Sequence, residues 1–74
     1  MIRLKVKEVA EQKGLSQAKL SRVADVDIKV IRRIYRYPTE SVTTAVLDRV
    51  AKALGVDVTQ LLESIPDDFQ EFKE

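Results

Sequence analysis

Residues 14–36 read GLSQAKLSRVADVDIKVIRRIYR, two amphipathic runs held apart by three residues. Ser16 stands where its hydroxyl can cap a helix over residues 17–24, with Ala18, Leu20, Val23 and Ala24 as its inward side. Asp25, Val26 and Asp27 leave room only for a tight turn. Aspartate tolerates the left-handed backbone that such a corner needs, so Asp25 is expected to make it. Asp27 is then placed to cap the second run, which extends to about Arg36 and must stop before Pro38.

The second run is greasy and basic at once. On a helical wheel Lys29, Arg32, Arg33 and Arg36 fall within about 100° of arc. Val30, Ile31 and Ile34 fall opposite, flanked by Tyr35 and Tyr37. One side can therefore enter a core while the other stays outside as a cationic ridge. A helix of that diameter fits the major groove of B-DNA, where Arg reads guanine through paired hydrogen bonds. Helix, three-residue turn and basic second helix together make a helix-turn-helix.

The remaining chain reads as further helices, with almost no strand signal. Residues 4–13 set Leu4, Val6, Val9 and Ala10 on one stripe, and Gly14 follows as a left-handed helix end. Thr43 caps a helix through Leu54, with Val46, Leu47, Val50, Ala51 and Leu54 on one face and Gly55 closing it. Asp57 with Gln60 has the form of a capping box for a last short helix, VTQLLE. The expected fold is all-α, a compact four- to five-helix bundle. Residues 1–64 form the domain and 65–74 an acidic tail.

Composition narrows the function. Seventy-four residues make one small domain. There is no Cys and no His, which removes the commonest nucleophile–base pairs and soft metal ligands. No metal and no cofactor are expected. No apolar run approaches a membrane span or a signal-peptide core, so a cytoplasmic location without membrane contact is the default expectation. Residues 1–53 carry 12 Lys and Arg against 6 Asp and Glu, whereas residues 54–74 carry 1 against 6. A basic body suits an anionic partner.

The stretch GLSQAKLSRVADVDIKVIRRIYR resembles the helix-turn-helix of the Cro and phage-repressor-like (XRE) transcription factors, and VTTAVLDRVAKALGVDVTQLLE resembles their fourth and fifth helices. The likeness covers roughly residues 3–63, with Ala24 and Val26 flanking the turn and Ile31 and Ile34 at buried positions. Two residues depart from the pattern. Asp25 stands where the family usually has Gly, and Ile28 where it usually has a polar residue.

The resemblance implies double-stranded DNA as partner, with Ile28, Lys29, Arg32 and Arg33 facing base edges and Gln17 on a backbone phosphate. An apolar Ile28 can meet a thymine methyl or pack on its own domain, but it cannot hydrogen-bond a base. Arg33, central on the ridge, suits a bidentate guanine contact. Lys29 reaches either a base or a phosphate. Arg36 is placed for a phosphate, and Thr43 offers the free amides of a helix N-terminus for another. Arg22 projects from the first helix of the motif and adds charge. Tyr35 is expected to pack.

Tight specific binding by so small a domain calls for a homodimer on a palindromic site. Ile65, Phe69 and Phe72 form an apolar stripe in the acidic tail, suited to the domain itself, a second copy or a protein partner. An antitoxin-like or adaptor protein gripping a partner through residues 65–74 is the alternative, followed by an interaction bundle whose ridge meets an acidic surface. An enzyme is the least favoured: Ser16 reads as a cap and Ser21 as an ordinary helix-surface residue.

Overall fold

Three of the polar residues read as helix caps perform that task. In the computed structural model, which describes residues 1–66, Ser16 Oγ accepts from the Lys19 N–H at 3.2 Å and Asp27 Oδ1 from the Lys29 N–H at 2.8 Å. Thr43 Oγ1 accepts from the Val46 N–H at 3.2 Å. Each thereby satisfies one of the donors that a helix start leaves unpaired. The helices so opened are α2 (Gln17–Ala24), α3 (Ile28–Arg36) and α4 (Thr44–Leu54), preceded by α1 (Val6–Gln12). Gly14 and Gly55 end α1 and α4 at φ 73° and 70°, a backbone that glycine adopts without steric penalty.

Leu4 does not belong to the first helix. It ends a short strand, β1 (Ile2–Leu4), which pairs antiparallel with β2 (Leu62–Ser64) in the register Ile2↔Ser64, Arg3↔Glu63 and Leu4↔Leu62. The donors that would start a helix here are spent elsewhere. The Leu4 N–H goes to the Pro38 carbonyl and the Lys5 N–H to the Leu61 carbonyl, both at 2.7 Å. Leu4 is still buried, as its hydrophobicity demands, but as a strand residue. Met1 and Ile65 exchange reciprocal N–H to C=O bonds at the end of the ribbon.

The last helix is likewise shorter than its sequence pattern suggests. A single 3-10 turn covers Val58–Leu61, and Leu62 then passes directly into β2. The capping box does not form: Asp57 Oδ2 instead accepts from the Thr59 hydroxyl at 2.8 Å. That local bond is one of the alternatives a short polar side chain always offers to the backbone.

The core is one cluster. Leu20, Ile31, Ile34, Leu61, Val6 and Val50 are its largest fully buried side chains. Each contributes about 1.5–3 kcal/mol by leaving water. α2 packs against both α3 and α4, and α1 against both as well. The buried side of α2 is narrower than expected: Leu20 and Ala24 are inside, whereas Ala18 is exposed and Val23 is 54% exposed. Val46 and Leu47 are half-buried beside Val50, Ala51 and Leu54 on the inner side of α4. Of the tail stripe, Ile65 is half-buried, while Phe69 and Phe72 lie outside the described residues.

Arg3 ties the ribbon to α1. Its guanidinium donates to Glu63 Oε1 at 2.8 Å and to the Glu8 carboxylate. The Arg3 hydrogen bond holds the Glu8 carboxyl below its ordinary value near 4.5. A carboxyl depressed on folding adds stability above its unfolded pKa and loses it as pH falls through the folded value. Arg3→Ala is therefore expected to lower the midpoint of thermal unfolding slightly at pH 7 and low salt. The gap from the parent should close as pH falls below about 4. Melting curves by circular dichroism across that range check it, and a gap that is constant with pH would refute the assignment.

Candidate nucleic-acid interface

Burial fixes which way α3 points. Ile31 is 0% and Ile34 2% exposed, both in the core that α1 and α2 share with it. Lys29, Arg32, Arg33 and Arg36, spaced on the other side, are all exposed. Among the described residues none of these four cations meets a carboxylate. Ion pairs form instead between Arg3 and both Glu8 and Glu63, and between Lys52 and Asp48. Arg36 lies over the Tyr37 ring, 5.6 Å from its centre, which orients the guanidinium without neutralising it. Asp27 caps the start of α3, and Arg33 and Arg36 lie in its last turn, where the helix dipole favours cations.

Ile28 is half-buried at the start of α3 and packs against the core cluster. Gln17 is half-buried at the first position of α2, and Arg22 is exposed near the other end of that helix. Thr43 is exposed, its hydroxyl committed to the cap of α4. Arg33 and Thr43 come together in the lining of one cleft, with Val30, Ser41, Val42 and Val46. Gln17 and Arg22 do not line that cleft. Tyr35 packs half-buried against the core, and that burial pushes its hydroxyl up from the ordinary range, with Glu11 adding to the effect.

The turn between α2 and α3 is held from two sides. Asp25 adopts the left-handed conformation expected of it, φ 58° and ψ 46°, the only non-glycine residue with positive φ among those described. Its carbonyl accepts from Arg49 Nη1 of α4 at 3.2 Å. The next carbonyl, that of Val26, accepts from Ser21 Oγ at 2.5 Å. Ser21 is thus a structural donor rather than an ordinary surface residue. Its spacing to Val26 was open to a sequence reading. The Arg49 contact, made from 24 residues away, has no local signal.

Two helices joined by a clamped three-residue turn, the second carrying a cationic side that meets no carboxylate among the described residues, lie in a stretch that matches one known family over residues 5–67, that of the Cro/C1-type HTH DNA-binding domain. The chain belongs to that family. No match was found among curated proteins. In this Cro/C1-type domain α2 and α3 are the helix-turn-helix, and α1 and α4 are the platform that holds them. The family is one of DNA-binding domains rather than of enzymes. No helix among the described residues is long and apolar enough to cross a membrane.

The turn supplies its own test. A non-glycine residue in the left-handed region is strained by up to about 1–2 kcal/mol, less for Asp. Asp25→Gly, which keeps the carbonyl that Arg49 holds, is expected to leave urea stability unchanged or raise it slightly. Asp25→Ala should lower it by about 1 kcal/mol, since Ala lacks both freedoms. Ser21→Ala strands the Val26 carbonyl and should cost about 1–2 kcal/mol. Equal midpoints for Ser21→Ala and the parent would show that the Ser21 bond adds nothing.

Proposed function

We propose that this domain is a sequence-specific DNA-binding transcriptional regulator that sets α3 into the major groove. The observation that carries the reading is the four-cation ridge of α3, exposed and without an ion-pair partner among the described residues, on a Cro/C1-type helix-turn-helix. A ridge neutralised within the molecule would have little to offer a polyanion. An unneutralised one releases counterions from DNA when it binds, and its affinity falls steeply with salt.

Within this reading Lys29, Arg32 and Arg33 face base edges, and Arg33 pairs with a guanine through two hydrogen bonds. Ile28, half-buried at the helix start, offers a base only its apolar surface. Gln17 and Thr43, each at a helix start, take backbone phosphates on either side of the groove. Arg36, steadied on Tyr37, and Arg22 add phosphate contacts that set register without reading sequence. A homodimer on a palindrome, with half-sites one helical turn or a multiple of it apart, gives the interface that a lone small domain lacks.

Selection of bound sequences from a randomised duplex library tests this directly. Arg33→Ala is expected to lower affinity for the enriched site about 10- to 100-fold and to erase one base preference. Arg36→Ala should weaken all sequences alike and reduce the slope of log K against log salt by about one. Retention with no enriched sequence would leave only a backbone binder, and no retention at low salt would overturn the proposal.

A further inference from the structure

Beside the ridge lies a surface feature to which the cations give no role. Val30 of α3, Ser41 and Val42 of the connector and Val46 of α4 line a cleft of about 360 Å³ together with Arg33 and Thr43. All three valines are half-buried and back onto the core cluster, so the apolar floor is fixed by the fold rather than by loose side chains. Two of the residues assigned above to DNA therefore share a cleft whose wall is aliphatic at three valines, with Ser41 as a further polar lining residue.

Resting on the major-groove reading, we propose that this cleft receives the 5-methyl group of a pyrimidine lying next to the guanine read by Arg33. The argument is one of position and chemistry. A nucleotide whose phosphate meets the start of α4 and whose neighbour's base edge meets Arg33 must lay the intervening surface over Val30 and Val42. On the major-groove side of a pyrimidine that surface is the C5 position, which sits between the base's hydrogen-bonding edge and its own backbone. Thymine presents a methyl there, and 5-methylcytosine presents the same group. A purine at that step would bring its N7 acceptor, and adenine or guanine a further polar atom, against aliphatic carbon. Against the three valines those groups would lose water and gain no partner, so that part of the wall favours the methyl. Ile28, at the start of α3, plays no part in this cleft.

The expected effect is small and specific. In a duplex carrying the site selected by the parent protein, replacing the adjacent thymine with deoxyuridine removes one methyl and nothing else. Binding should weaken about fourfold, the factor carried by one buried methyl at about 0.8 kcal/mol. Placing 5-methylcytosine rather than cytosine at the same step should strengthen binding by a similar factor, which separates the methyl from thymine's O4. Val42→Ala, outside the helices, should bring both ratios close to one while the preference for the neighbouring guanine persists. Val30→Ala, read the same way, guards against a fold-specific failure of either variant. Deoxyuridine tolerated at every thymine of the site, or a methyl effect unchanged in both variants, would overturn the cleft assignment while leaving DNA binding intact. Dimerisation of the free protein that Val42→Ala abolishes would give the cleft to a second copy and also overturn it. Failure to retain any duplex would sink the groove reading itself.

Discussion

The structure depends on the burial of Ile31 and Ile34 beneath α3. A helix of nine residues has to supply both a wall of the core and an outer ridge, and it can do so because apolar and cationic residues repeat with the helical period. Those two isoleucines, with Leu20 and Leu61 also fully buried, anchor the element. Once they are inside, Lys29, Arg32, Arg33 and Arg36 are left exposed on the outer side of α3. Orientation of the interface is thus a consequence of hydrophobic burial, with no separate device needed to aim the arginines.

Burial sets the rotation of α3 about its axis, but not its angle to α2. That angle belongs to the three residues between them. A turn this short needs one residue in the left-handed region, and Asp25 takes it at some strain. The two consecutive carbonyls of Asp25 and Val26 then receive donors from opposite directions, Arg49 on α4 and Ser21 on α2. A fluctuating corner would let the ridge swing relative to the start of α2. Two hydrogen bonds of about 1 kcal/mol each do not fold the protein, yet they suffice to select among turn geometries that differ by that much.

What could be read from the residues was whatever is decided locally. Ser16, Asp27 and Thr43 declare themselves as caps because the amides they serve lie two or three positions on. Gly14, Asp25 and Gly55 mark left-handed ends for similarly short-range reasons. The ridge needed only the period of the helix. What could not be read depends on distant partners. β1 and β2 are three residues each and about 60 apart in sequence, so their pairing has no local trace, and Leu4 counts as apolar in a helix or in a strand. The capping box at Asp57 failed because Thr59, only two residues away, offered a nearer partner. Val23 and Ala18 looked inward on the wheel, but α2 has its two neighbours on one narrow side, which leaves them outside.

The distribution of charge follows the same division between local and distant partners. Arg3, on the strand ribbon, meets Glu63 directly opposite it and Glu8 on α1, so its charge is spent on joining β1 to β2 and to α1. Lys52 has Asp48 one turn before it on α4. Among the described residues α3 finds no such partner. Its only carboxylate, that of Asp27, sits at the cap and is occupied by the Lys29 amide, and the positions one turn apart along its outer side are all cationic. Like charges at that spacing repel one another by a few tenths of a kcal/mol each. The helix tolerates this because its C-terminal dipole and buried isoleucines outweigh it. A polyanion laid along the ridge would relieve that repulsion and supply a counter-charge that the described residues do not give these four cations.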